Sequence, residues 1–395
     1  MSETLTIRNF GPIKDMTFEF KKINVLIGDQ GTGKSTVAKI LSAIKNCFFR
    51  EIFNLPEEEG IDKQTQQFNE HLNLVGIKNF LKKESFLFYK CPDYYFELKK
   101  GEVSINKNID TSELKMKSMY YDFNYILAER NMVHVLADSL YALLELKAEL
   151  PKLFTRFGNK YITSRKSKSE FNYTDILGVK FIHKDNKDYI LIPDGIEISL
   201  SDASSGIQGC VALLTVFDSI TSVSFPSGRT QYLLMDKNLR LLVIEEPELN
   251  CFPSTQYRLM KYIIENNKIS SLVPVILEND DPENPDIDIF EDYENEVKNQ
   301  LVITTHSPYI LTSLNNLMYA YKVGQENSEE VETIIEKKYW LNPDDVSVYR
   351  LSDGHCENIM DEELKQIKVE KIDEISEVLS AQWHKLADLN FNKQE

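Results

Sequence analysis

The sequence predicts an α/β fold with a mixed central sheet, an antiparallel β lobe and a helical lobe. Three observations predict it. A short apolar run, Ile23-Asn24-Val25-Leu26-Ile27, leads into the glycine-rich stretch Gly28-Asp29-Gln30-Gly31-Thr32-Gly33-Lys34-Ser35-Thr36, and Val37 to Leu41 beyond it has helical spacing. Two later apolar strands end in polar groups, Leu241 to Ile244 in Glu245-Glu246-Pro247-Glu248 and Leu301 to Thr305 in His306. Between these halves, Phe86 to Tyr89, Tyr94 to Leu98, and Val103 with Ile105 read as strands in a region rich in Lys, Glu, Asn and aromatic residues.

The expected organisation is an N-terminal half around the glycine-rich loop (1–46), a small mixed β lobe (47–124), a helical lobe and hairpin (125–200), a second half with the polar strand tips (201–323), and a C-terminal extension of strand and helix (324–395). Residues 4 to 27 read as two strands joined at Gly11-Pro12, followed by the strand into the loop. Phe10 and Lys14 are placed to reach the base of a nucleotide, although an apolar strand residue is more often core. Tyr125 to Arg130 reads as a strand ending in a charged pair. Val133 to Leu150, apolar at 136, 140, 143, 144 and 147, reads as a helix stopped by Pro151. Arg156, Lys160, Arg165, Lys166 and Lys168 are the best candidate for a basic patch, and an exposed hairpin or loop is the commoner fate of such a run.

Tyr189 to Ile192 and Ile196 to Ile198 flank the turn Pro193-Asp194-Gly195, which signals a hairpin. Small residues at Asp202 to Gly209 open a helix that continues to Phe217. A helix over Ser254 to Asn266, a helix starting at Ser307-Pro308, strands over Met318 to Val323 and Val346 to Leu351, and an acidic-basic helix from Asp361 to Leu386 complete the pattern.

A chain of 395 residues is long enough for a large core and more than one lobe. No apolar run has the length of a membrane span, and Met1 to Leu5 carries no secretory pattern, so a cytoplasmic protein without a membrane partner is expected. Cys47, Cys91, Cys210, Cys251 and Cys356 are scattered, as reduced thiols are. The net charge of −17 argues against general nucleic-acid affinity. Much of that acidity sits between Glu278 and Glu296, a segment that reads as a solvated loop.

The glycine-rich stretch matches G-x-x-x-x-G-K-[ST]. Glycines at 28, 31 and 33 let the backbone close around an anion, and the loop N–H groups with the positive end of the following helix face phosphates. Lys34 is expected on the β- and γ-phosphates, Ser35 on Mg²⁺ and Thr36 on the α-phosphate, with Asp29, Gln30 and Thr32 in the same cradle. Reactive groups sit at strand ends in open α/β sheets. Glu245 is therefore assigned to Mg²⁺, Glu246 to the attacking water and His306 to the γ-phosphate.

Ser204-Ser205-Gly206-Ile207-Gln208 alone is a helix cap. Together with I-R-N-F-G-P-I (7–13), the phosphate loop, Y-I-L-A-E-R (125–130), I-E-E-P-E-L (244–249) and T-T-H-S-P (304–308), it resembles the signature of ABC-type ATPases, with Ile207 departing from the second glycine. The set resembles a P-loop NTPase of the ABC-type ATPase head class, SMC/RecF-like, and the prokaryotic AAA-family ATPases that share their head with overcoming-lysogenization-defect nucleases. The resemblance implies a homodimer, head to tail and open to higher assembly, with each ATP between one phosphate loop and the partner's Ser204, Ser205, Gly206 and Gln208. Glu248 to Asn250 would line that interface, and Glu129-Arg130 would stand in for the glutamine loop.

No long heptad tract separates loop and signature, so SMC-type arms are not expected. The Asp-x-Asp at Asp286-Ile287-Asp288 precedes His306, so the nuclease domain of overcoming-lysogenization-defect proteins is not expected either. The leading reading is an ATP-driven switch acting on a separate effector, in the setting of antiphage defence. A DNA-binding repair head of RecF type is the second, and a transporter ATPase the third.

Overall fold

The computed structural model describes residues 3–51, 60–108, 122–139, 149–221, 239–267, 298–368 and 380–384. The chain opens with β1 (Glu3–Phe10), β2 (Ile13–Phe20) and β3 (Ile23–Ile27), followed by α1 (Lys34–Asn46) and α2 (Ile61–Leu74). Then come β4 (Phe86–Lys90), β5 (Tyr94–Lys99), β6 (Glu102–Lys107) and β7 (Asp122–Ile126). Helix α3 (Lys152–Ser164) precedes β8 (Glu170–Tyr173), β9 (Val179–Lys184), β10 (Lys187–Leu191) and β11 (Glu197–Ser199). The second half holds α4 (Ser205–Thr221), β12 (Leu239–Glu245), α5 (Pro253–Asn267), β13 (Lys298–Thr305), α6 (Pro308–Gly324), β14 (Val346–Ser352) and β15 (His355–Asn358).

The central sheet runs β15-β14-β3-β13-β12-β7, parallel except for β15. Its inner strands are apolar on both faces, as a parallel sheet covered by helices requires. Asn24 is the exception on β3, and it is wholly buried. Its Oδ1 accepts from Lys21 N at 2.7 Å and Ser347 Oγ at 2.7 Å, and its Nδ2 donates to Lys21 O at 2.8 Å and Leu301 O at 3.2 Å. One amide thus pins β3 to both neighbours while meeting its own hydrogen-bonding demand.

The first two strands pair with the lobe strands in an antiparallel sheet of order β2-β1-β4-β5-β6. Tyr349 on β14 ties this sheet to the central one: its hydroxyl accepts from Glu19 N at 2.8 Å and its ring meets Phe18 edge-on at 5.0 Å. A third sheet, β11-β10-β9-β8, contains the hairpin expected around Pro193-Asp194-Gly195, with Tyr189 opposite Ser199.

Several expectations change. Met318 to Val323 is not a strand but the end of α6, whose buried residues Ile310, Leu311, Leu314, Leu317 and Met318 follow helical spacing from Pro308 onward. Asp361 does not open a helix. Its carboxylate accepts from Glu363 N and Leu364 N and turns the chain into a short hairpin, Met360–Asp361 against Gln366–Ile367. Beyond it residues 380–384 are helical, and the rest of that expected helix lies outside the described residues, as do 140–148 of the expected helix after Val133 and the acidic segment 278–296.

Only Arg156 and Lys160 of the basic run lie on α3, while Arg165, Lys166 and Lys168 follow it in the turn before β8. Arg165 is buried, donating to Asp188 at 2.8 Å beside Tyr161 at 2.7 Å and His183 at 2.7 Å. Arg156 lies over the Phe123 ring at 5.1 Å and donates to Phe123 O. Phe10 is fully buried, so it is core rather than a base contact. The five cysteines are free thiols.

Candidate functional site

The glycine-rich loop leaves the end of β3 and bends into α1. Gly33 sits at φ 102° immediately before the helix, in the left-handed region that favours glycine. A Cβ on Gly28 would strike the Leu351 carbonyl of β14. The start of α1 has neither a side-chain cap nor an acidic residue in its first turn, which leaves its N–H groups and positive end to an anion. Lys34 Nζ turns back into the loop and donates to Gly28 O at 2.7 Å and Asp29 O at 2.9 Å. Thr32 Oγ1 donates to Asp29 O at 2.8 Å. Asp29, Gln30 and Gly31 are exposed, Ser35 is half-buried and Thr36 is buried. Burial lowers the Lys34 pKa, and Glu246, Asp29, Glu248 and Glu245 oppose that.

The sheet order places β13 beside β3 and β12 beside β13, so His306 and the glutamates stand next to the loop. His306 lies between two of the expected groups. Its Nδ1 is 3.4 Å from Lys34 Nζ and its Nε2 is 3.2 Å from Glu246 Oε1. Lys34 can only donate, so the hydrogen-bond pattern puts the imidazole proton on Nε2, facing Glu246. Glu246 holds φ 43°, outside the common region for a non-glycine residue, with its N–H on Thr304 O at 2.8 Å.

Glu245 is buried and is held by β7 and the turn that follows it. Its Oε1 accepts from Tyr125 OH at 2.6 Å and its Oε2 from Ala128 N at 3.3 Å. Burial pushes the Tyr125 phenol well above its ordinary pKa, and the charge and hydrogen bond of Glu245 add to this. Glu248, expected at an interface between copies, is committed inside the chain. Its Oε1 accepts from Thr305 Oγ1 at 2.6 Å and His306 N at 2.8 Å, which fixes the backbone that carries the imidazole.

In the sequence Arg130 reads as a charged strand end and, with Glu129, as a stand-in for the glutamine loop. The strand stops at Ile126, and Arg130 lies in a 3₁₀ turn over Ala128–Met132, fully buried. Its guanidinium donates to the carbonyls of Leu127 at 3.2 Å, Gly209 at 3.2 Å, Glu245 at 2.8 Å, Glu246 at 2.7 Å and Pro247 at 3.3 Å. It therefore joins α4 to the tip of β12. Tyr125 was likewise missed as a partner of Glu245. The sequence signal for both was polar groups closing an otherwise apolar strand.

Ser204 and Ser205 are exposed at the start of α4, and Gly206 packs so closely on the Asn250 carbonyl that a Cβ there would collide. Gln208 does not face outward with them. Its Nε2 donates to the carbonyls of Ser201 at 3.0 Å and Ala203 at 2.9 Å, holding the turn before the helix.

The chain is a mixed α/β fold whose central sheet sets the glycine-rich loop beside the tips of β13 and β12. Residues 4–131 match the family model described as an AAA domain, a stretch that runs from β1 through the loop to Arg130. Similar solved structures include the SMC head domain from Thermotoga maritima, 12% identical, covering 91% of this chain and 98% of that chain at a TM-score of 0.37. They also include the Smc head domain with an extended coiled coil bound to the C-terminal domain of ScpA, derived from Pyrococcus furiosus, 10% identical, covering 96% and 99% at 0.39. A third is the recombination mediator protein RecF of the RecFOR pathway, 11% identical, covering 91% and 98% at 0.37. No curated protein matches the sequence.

Thr305→Val keeps shape but deletes the hydroxyl that serves both Glu248 and Ser307 N. Urea unfolding should show stability reduced by about 1–3 kcal/mol at unchanged m-value. An unchanged midpoint would mean that Glu248 is satisfied without it.

Proposed function

We propose that the chain binds and hydrolyses ATP with Mg²⁺ as one half of a head-to-tail homodimer that switches a separate effector. The observation that carries this reading is the line Lys34–His306–Glu246, in which groups from three separate elements meet beside the glycine-rich loop. Phosphate oxygens replace the loop carbonyls around Lys34 Nζ, and the N–H groups of α1 complete the cradle. Glu246 accepts a hydrogen bond from the attacking water and orients it in line with the γ-phosphate, while the His306 Nε2 proton holds that carboxylate in place.

Ser35 and Glu245 offer a hydroxyl and a carboxylate, the oxygen donors that suit Mg²⁺, and Tyr125 with Ala128 fixes the carboxylate. When bound there, Mg²⁺ would supply positive charge against the charge that develops on the phosphates. Ser204 and Ser205 stand exposed at the head of α4, with Gly206 half-buried behind them against Asn250, so the two serines are placed to meet a nucleotide on a second copy. Gln208 serves this contact by shaping the turn rather than by touching phosphate. The effector and the antiphage setting rest on the resemblance. The DNA-binding reading draws less from this chain, because Arg165 and Arg156 are engaged internally. No helix among the described residues is long and apolar enough to cross a membrane.

Glu246→Gln should retain ATP binding, reduce turnover by about 10²–10⁴-fold and accumulate an ATP-dependent dimer in light scattering. A variant that stays monomeric at saturating ATP contradicts the shared-site arrangement. Lys34→Ala should abolish nucleotide binding by calorimetry, and retained affinity would refute the loop assignment.

A further inference from the structure

Cys210 and Cys251 come from different elements and meet with their sulfurs 3.0 Å apart, about 1 Å more than a disulfide bond. Cys210 lies on α4, one turn beyond Ser205 and Gly206, and is fully buried. Cys251 follows Asn250, the residue whose carbonyl packs on Gly206, and is half-buried, so a small oxidant has a route to it. We propose that Cys210 and Cys251 form a redox-active dithiol that a hydroperoxide converts to a disulfide, locking the start of α4 to the turn after β12.

The two thiols are not equivalent. The hydrogen bond from Cys210 lowers the Cys251 pKa against the effect of burial, and Arg130 helps. The same contact, with burial, raises Cys210 well above the ordinary thiol range. Cys251 is therefore the attacking sulfur and Cys210 the resolving one. The Cys251 thiolate attacks one oxygen of hydrogen peroxide. The O–O bond breaks, a sulfenic acid forms, and the departing hydroxide takes up a proton as water. Cys210 then loses its proton and attacks the Cys251 sulfur. The S–O bond breaks and a second water leaves. Two thiols have given up two electrons and two protons, and the peroxide has received them.

The bond would lie in the strip that Arg130 already spans from Gly209 to Pro247. Its effect on assembly rests on the proposed function: the Arg130 hydrogen bonds couple α4 to the strand tip yet can adjust as α4 seats on a second copy's nucleotide, and a covalent tie removes that adjustment. The oxidised chain binds ATP and assembles poorly.

The test treats the whole chain with hydrogen peroxide, alkylates the remaining thiols and maps peptides by mass spectrometry. The expected product is a Cys210–Cys251 cross-linked peptide, two hydrogens lighter than the thiol pair, that disappears with dithiothreitol. Cys210→Ser should instead leave a Cys251 sulfenic acid that dimedone traps, and Cys251→Ser, at the half-buried position, should give neither product. Alkylated Cys210 and Cys251 after a treatment that oxidises Cys356 would overturn the assignment. In the functional arm, oxidation should lower ATP-dependent dimerisation at least about fivefold, or about 1 kcal/mol, in the native sequence and not in Cys251→Ser. A quantitative cross-link with unchanged dimerisation would overturn the locking effect. A reduced chain that never dimerises with ATP contradicts the proposed function, whereas the cross-link is read by mass whether or not ATP binds.

Discussion

The Arg130 guanidinium, sealed from solvent, holds five carbonyl oxygens on three separate stretches of chain. Burying a cation is costly, and burial pulls the Arg130 pKa below its ordinary value. The carbonyl dipoles and the nearby charges of Glu248 and Glu246 offset that cost. A lysine in the same place would keep the charge but lose the planar fork that reaches all the carbonyls. The consequence is mechanical. Helix α4 presents Ser204 and Ser205 at its start, and the tip of β12 leads into Glu246, which meets His306 beside the glycine-rich loop. Arg130 fixes one to the other, so a displacement at either end is felt at the opposite end.

Around that bracket, each polar group near the loop is held by a partner from another element. Glu248 fixes the His306 backbone, His306 stands between Lys34 and Glu246, and Tyr125 orients Glu245. Such a network rigidifies the site, at the cost of leaving Glu248 Oε2 buried without a hydrogen-bond partner. The positive φ at Glu246 fits this picture: the surrounding bonds hold the backbone in a conformation it would otherwise leave.

Much of this was legible in the sequence because it follows local rules. The glycine-rich loop declares itself by glycine spacing between a strand and a helix, and the strand tips by polar residues closing apolar runs. What the sequence hid was long-range. Arg165 looked like part of a basic surface, and only the fold brings Asp188 to it. Gln208 looked like a ligand contact, yet its amide is consumed by the turn it follows. Met318 to Val323 has strand-like composition but continues a helix whose buried face was set from Pro308 onward. Asp361 reads as helical until its side chain is seen capping a turn. Arg130 was visible as a charged residue, but its five acceptors are spread from Leu127 to Pro247.

The bracket is tested most directly by Arg130→Lys, with folding checked by thermal melting and with ATP affinity and ATP turnover measured on the same sample. Nucleotide affinity should stay within about threefold of the native chain while turnover falls at least about tenfold, a loss of about 1.4 kcal/mol from the transition state alone. A folded Arg130→Lys protein that turns over ATP at the native rate would contradict the coupling of α4 to the strand tip.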